Sequence, residues 1–217
     1  MLKVYGHPRS GNYYLMTLLA LNYYANEDVS IGEGFVGHWA DRTWVPGSEY
    51  GKLAGHHGPP RRGFDPANAI YIYRDGRAVI ASLYRSQHFM NPEWEEMDFS
   101  QFIRTPLDWV FSPGRQSYPE CNVIEHWHNH LKMWQDEHIH KAQYERAVYD
   151  AKAVLDSIAD KFGLPTREVY ELPDRLVGWY PSGGKVIDWQ SLWNEKDTDY
   201  FFDIVGDDFW GVEKELR

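Results

Sequence analysis

The stretch Pro8-Arg9-Ser10-Gly11-Asn12-Tyr13-Tyr14-Leu15 constrains this chain more than any other. It joins a short apolar run, Leu2 to Tyr5, to a segment in which Leu15, Leu18, Leu19, Leu21 and Tyr23 support a largely buried helix reaching about Tyr24. A strand that enters a glycine-bearing loop and opens a helix presents unpaired first-turn amides and the positive end of the macrodipole. Gly11 lets the backbone come close, and Arg9 adds a charged fork. The stretch therefore predicts a site for a phosphorylated or sulfated ligand. No Gly-Lys-Ser/Thr follows a four-residue gap, so the lysine and magnesium-binding hydroxyl of a Walker A loop are missing. Alone, the same turn also suits an ordinary strand-to-helix connection.

A second strand-turn-helix pattern follows. Ala69-Ile70-Tyr71-Ile72-Tyr73 is a dense β-propensity run, Arg74-Asp75-Gly76 ends it, and Ala78, Val79, Ile80, Ala81, Leu83 and Tyr84 resume at helical spacing. Asp75 suits the N-cap of that helix. If the two strands are parallel neighbours, Arg74 leaves the sheet at the same edge as the first loop.

At 217 residues the chain has room for one sizeable core, and a single domain over 1–217 is expected. With 16% aromatic and 25% charged residues it does not read as disordered. No apolar run approaches the ~18 residues of a membrane span, and Lys3 precedes only two apolar residues before Gly6, unlike a signal peptide. A cytoplasmic protein is expected, and the lone Cys121 agrees with a reducing compartment. The net charge of −10 argues against nucleic acid as a partner, while a small polyanion needs only local cations and backbone donors.

Elsewhere the patterning is uneven. Residues 31 to 64 carry glycines, prolines, Trp39, Trp44, His56-His57 and Arg61-Arg62 with no clean periodicity, and read as a long loop region of the length that commonly carries substrate contacts. Residues 91 to 119, with Pro92, Pro106, Pro113 and Pro119, read as short turns of helix and loop. A helix is expected from about Asn122 to Asp136; His126 and His130 are four apart on it, but no carboxylate or cysteine is placed to complete a metal site. Ala142 to Glu145 suits a short strand, followed by an amphipathic helix through Val154, Leu155, Ile158, Ala159 and Phe162 that stops at Gly163. Gly183-Gly184-Lys185 reads as a flexible basic loop, and Asn194 with Asp197 caps a last helix reaching Val205 and ending at Gly206.

With these pieces in order, the chain resembles the sulfotransferases that use 3′-phosphoadenosine 5′-phosphosulfate (PAPS). Pro8 to Tyr14 resembles the family's 5′-phosphosulfate loop, P-K-S-G-T-T-W, with Arg9 in place of lysine. The resemblance implies that Arg9 and the loop through Ser10, Gly11, Asn12, Tyr13 and Tyr14 hold the phosphosulfate. Tyr71 to Ser82 resembles the 3′-phosphate motif, a strand-end arginine with a helical serine eight positions later, here Arg74 and Ser82 (82 − 74 = 8). Two helical turns separate them, so both can reach one phosphate. Trp127-His128-Asn129-His130-Leu131-Lys132-Met133-Trp134 resembles the W-x-x-H-x-x-x-W helix, and Tyr144-Glu145 the Y-E pair whose tyrosine contacts adenine.

The departures are specific. Asn12 and Tyr13 replace two threonines, leaving backbone contacts to the phosphate. The late R-K-G loop aligns with Ser182-Gly183-Gly184, with Lys185 one residue along as the substitute cation. The family's base is a histidine in a K-T-H-x-P type segment; His57-Gly58-Pro59 matches H-x-P, His56 is the rival, and Gly55 stands where the lysine would be. The resemblance implies a three-layer α/β/α fold with a short central parallel sheet of the P-loop-like nucleotide-binding kind. It implies metal-independent sulfuryl transfer from PAPS, leaving PAP, to a hydroxyl or amine of a small-molecule or carbohydrate acceptor. The alternatives are a P-loop-like ATP-dependent kinase and a non-catalytic protein of the same fold that binds a nucleotide or sulfated glycan. Neither acceptor nor oligomeric state is legible.

Overall fold

The computed structural model describes residues 2–24, 36–38, 53–60, 66–86, 94–111, 114–135, 138–173, 188–207 and 209–212. They fall into two compact units, Met1–Tyr73 with Asp136–Val186, and Arg74–Gln135 with Ile187–Arg217.

The first unit is a parallel sheet of five strands: β1 (Leu2–Tyr5), β2 (Val36–His38), β3 (Leu53–His56), β4 (Ala69–Tyr73) and β7 (His140–Gln143), in the order β2-β3-β1-β4-β7. β4 is an uninterrupted apolar run because its residues through Ile72 are buried, as expected of a strand inside a parallel sheet. Helix α1 (Asn12–Leu19) packs Leu15, Met16, Leu18 and Leu19 into one core with Val4, Leu53, Ile70 and Ile72. The same core takes Tyr144 and Ala147 of α5 (Tyr144–Tyr149) and Val154, Leu155 and Ile158 of α6 (Ala151–Phe162). α6 ends at Gly163 in the left-handed conformation (φ 65°), where a glycine stop is expected.

From β1 the chain turns toward β2 and β3, and from β4 toward β7. The carboxyl ends of β1 and β4 thus flank the topological switch point of the sheet, the position at which open α/β sheets take ligands. The two strands are parallel neighbours, Tyr5 opposite Tyr71, so the chain leaves both at one sheet edge.

The second unit holds α2 (Gly76–Tyr84), α3 (Phe99–Phe102), the antiparallel pair β5 (Pro106–Phe111) and β6 (Gly114–Asn122), α4 (Val123–Gln135) and α7 (Glu195–Val205). Each helix start is capped. Asp98 and Gln101 form a reciprocal capping box on α3, and Asn122 accepts from the amides of Ile124 and Glu125 at α4. Asn194 accepts from Asp197 at α7, which ends at Gly206. Trp127 and Trp134 of α4 are fully buried, and Trp127 meets Phe201 of α7 at 5.8 Å between ring centroids.

Two expectations from sequence are corrected. The interval read as an unpatterned loop contains β2 and β3, at three and four residues too short for alternation to register. The interval read as short turns of helix and loop holds the one-turn helix α3, as expected, but also the β5–β6 pair; Pro106 is tolerated there because it is the first residue of a strand, beside a register irregularity. The short strand expected at Ala142 to Glu145 is His140–Gln143, and Tyr144-Glu145 open α5 instead.

Candidate active site

The loop after β1 is built on a turn. The Ser10 amide donates to the His7 carbonyl at 3.0 Å, with Pro8 at the second position and Arg9 at the third in the left-handed region (φ 71°). Pro8 suits the second position, but the third favours glycine, so Arg9 is held there against its backbone preference. His7 is buried; its Nδ1–H donates to the Pro8 carbonyl at 2.8 Å, bracing the turn from below.

Gly11 (φ 101°) is the N-cap of α1, and a Cβ there would collide with the Tyr144 ring. A Cβ on Gly6 would sit 2.7 Å from the Ile72 carbonyl oxygen. Both glycines are therefore fixed by close approach. The first intrahelical bond runs from the Leu15 amide to the Gly11 carbonyl, so the amides of Asn12, Tyr13 and Tyr14 precede the helical ladder. No side chain caps this end among the described residues. The Ser10 hydroxyl is buried beside it without a hydrogen-bond partner among the described residues. A helix start without a side-chain cap, the buried Ser10 hydroxyl and a neighbouring arginine fit an oxyanion with several acceptor oxygens.

The side chains of Asn12, Tyr14 and Tyr144 pack around the loop. Asn12 turns inward, its amide donating to the Val4 carbonyl at 3.4 Å. The Tyr14 hydroxyl donates to the Ala147 carbonyl at 3.4 Å, and burial pushes its pKa up. Tyr144 is buried, edge-on to Tyr14 with centroids 5.7 Å apart and directly on Gly11. It buttresses the loop, a contact that sequence reading missed because it joins positions 133 residues apart (144 − 11).

His57 follows β3, the neighbour of β1, and its Nδ1 lies 2.7 Å from the Gly6 carbonyl. A carbonyl only accepts, so Nδ1 carries the proton and Nε2 holds the lone pair. A half-buried imidazole is thus oriented by the Gly6 carbonyl, at the entry to the loop, with its basic nitrogen defined. His56 is the last residue of β3, paired with Tyr5, and its side chain lies outside the described residues, as do Gly184 and Lys185.

In the second unit Arg74 is buried directly after β4, and Ser82 is buried two turns into α2. Asp75 caps α2, as sequence predicts, but its carboxylate also binds the Arg77 side chain through two contacts, Nε–Oδ1 at 3.1 Å and Nη2–Oδ2 at 2.8 Å. Gly76 is packed on Trp127, whose ring would lie 2.6 Å from a Cβ there. Burial lowers the His126 imidazole to about 4 and pushes the Cys121 thiol up, so neither reads as a reactive group. Among the described residues no three potential metal ligands cluster, and no helix is long and apolar enough to cross a membrane.

Residues 56–176 match the family model of the sulfotransferase domain. No curated protein sequence matches the chain. Among solved structures, mouse sulfotransferase SULT7A1 complexed with PAP superposes with a TM-score of 0.59 at 14% identity, over 94% of this chain and 82% of that one. Retinol dehydratase with androsterone and the inactive cofactor PAP gives 0.56 at 16%, over 98% and 81%. The same enzyme with retinol and PAP gives 0.57 at 15%, over 98% and 82%. At such identities the likeness shows a shared α/β fold, whereas the family match spans more than half of the 217 residues. The chain belongs to the sulfotransferase domain family.

Proposed function

We propose that this sulfotransferase takes its sulfuryl group from PAPS and passes it to a hydroxyl or amine of a small-molecule or carbohydrate acceptor, with His57 as general base. The observation that carries the reading is the 2.7 Å bond between His57 Nδ1 and the Gly6 carbonyl, which ties a base of defined tautomer to the anion loop. The whole chain is read as one cytoplasmic sulfotransferase-like domain. The structural relatives crystallised with PAP support the choice of donor, and those holding androsterone or retinol support an acceptor of small size.

Arg9, the Ser10 hydroxyl and the amides of residues 12–14 receive the 5′-phosphosulfate; Arg74 and Ser82 receive the 3′-phosphate. Tyr144, by resemblance the adenine residue, also supports the loop, and Lys185, beside Gly184, completes the cation set. When bound, PAPS supplies an activated sulfuryl group with PAP as the leaving group. The acceptor proton passes to His57 Nε2, while Nδ1–H stays on the Gly6 carbonyl and keeps the imidazole aligned. Fixed donors at the loop offset charge on the transferring group, so the residues need no metal for this task.

Turnover of sulfur-labelled PAPS against a panel of phenols, sterols and sugars tests the reading. His57→Asn retains an N–H donor near the Nδ1 position and removes the base. It should cut turnover by roughly 100-fold or more with PAP affinity nearly unchanged. Full activity in His57→Asn with loss in His56→Ala would move the base by one residue. Full activity in both would end the proposal of histidine catalysis, and absence of transfer with normal PAP affinity would favour a non-catalytic binder.

A further inference from the structure

We propose that Arg77 is a positioning residue for the 3′-phosphate: it neutralises Asp75 and pins the turn that presents Arg74. This rests on the assignment of Arg74 and Ser82 made above. The sequence Arg74-Asp75-Gly76-Arg77 places a carboxylate directly beside the arginine meant for a phosphate dianion. Left to itself, that carboxylate would compete for the Arg74 guanidinium and repel the ligand.

The fold gives Asp75 a cation two residues along. The Arg77 backbone amide and Nε donate to Oδ1 at 2.8 and 3.1 Å, and Nη2 donates to Oδ2 at 2.8 Å. The guanidinium is itself held in place, 4.4 Å from the Trp189 ring centroid and 5.7 Å from that of Phe202. The Trp193 indole N–H donates to the Arg77 carbonyl at 3.3 Å. At the far end of α2, Arg85 Nη2 donates to the Asp188 carbonyl at 2.8 Å. Ala78 and Ala81, small enough to admit the rings, pack with Trp189, Leu192 and Trp193. The segment 188–193 therefore runs along α2 from first turn to C-cap. Trp127 closes the underside at Gly76.

Stability alone does not explain this choice of residues. Apolar replacements for a buried ion pair are commonly neutral or stabilising, and the N-cap role of Asp75 needs only asparagine or serine. What the site does need is a planar cation that grips both carboxylate oxygens while stacking on an indole, which is arginine's chemistry. Arg77 thereby keeps the local field favourable to an incoming phosphate.

Calorimetry on the full chain with PAP and with adenosine 5′-phosphosulfate, which lacks the 3′-phosphate, separates positioning from packing. Arg77→Met retains length and contact with Trp189 but takes the guanidinium fork away from Asp75. PAP affinity should fall by ~10-fold or more, and that of adenosine 5′-phosphosulfate by much less. Adding Asp75→Asn, which keeps the cap, should restore most of the PAP affinity. Equal losses for both ligands, or no restoration, would overturn the proposal. If Arg77→Met does not fold, Arg77→Lys, charged but unable to form the fork, should lower the PAP preference in part; an unchanged preference would overturn it. A wild-type chain that binds PAP no better than adenosine 5′-phosphosulfate would instead remove the 3′-phosphate assignment, and this role with it.

Discussion

Replacing Gly11 by alanine should damage both fold and site, and its two contributions can be separated. The backbone at φ 101°, ψ 19° is one that L-residues resist, at ~1–2 kcal/mol. The added methyl also meets the Tyr144 ring, which is buried at 1% exposure and held edge-on by Tyr14, so the ring cannot swing into solvent. Overpacking of this kind costs typically ~1–3 kcal/mol. The sum, roughly 2–5 kcal/mol, is a large part of a domain's usual stability. Urea unfolding followed by far-ultraviolet circular dichroism measures it, and a cycle with Tyr144→Leu isolates the clash. In the Tyr144→Leu background Gly11→Ala should cost only the backbone part, a coupling of ~1 kcal/mol or more. A cost below ~1 kcal/mol in the wild-type background, or none of it relieved by Tyr144→Leu, would refute the close packing of tyrosine on loop.

Two further outcomes follow from named geometry. Arg9→Gly should raise stability by up to ~1 kcal/mol, since glycine accepts the left-handed backbone, while PAP affinity falls; lower stability would show that the turn is unstrained. Burial holds His126 at about 4 against an ordinary 6.5, so as pH falls through 6.5 the unfolded chain takes up the proton first. Stability should then drop between pH 6.5 and about 4 by on the order of 3 kcal/mol. His126→Phe should lack that part of the loss in urea midpoints at pH 7 and 4.5, and equal losses in the two proteins would contradict the assignment.

The local structure around the candidate site was legible in sequence where its grammar is local. A strand, a glycine and a helix start fall within Leu2 to Leu19, and the arginine-to-serine spacing falls within one helix and its approach. The last helix was readable for the same reason, because Asn194, Asp197 and Gly206 mark its ends by their own chemistry. What escaped depends on partners far along the chain. Nothing near Arg77 announces Trp189, and nothing near Gly11 announces Tyr144. β2 and β3 escaped because three or four residues carry no period, and the neighbouring β1 supplies the hydrogen bonds that make β3 a strand. The pairing of His57 with Gly6 escaped too, although the histidine itself was singled out, since a carbonyl leaves no mark in a sequence.

The central proposal is that arginines, serine hydroxyls and helix-start amides of this chain recognise a nucleotide phosphorylated at both the 3′ and 5′ positions. Thermal unfolding with PAP tests this without knowledge of the acceptor. A ligand confined to the folded state adds ~2.7 kcal/mol at one hundred times its dissociation constant. PAP should raise the melting temperature strongly, and a chelator should leave that shift unchanged. Adenosine 5′-phosphate and magnesium ATP should do much less, because neither carries a 3′-phosphate for Arg74 and Ser82 and the loop lacks the Walker lysine. A larger, magnesium-dependent shift with ATP would contradict the account and favour phosphoryl transfer.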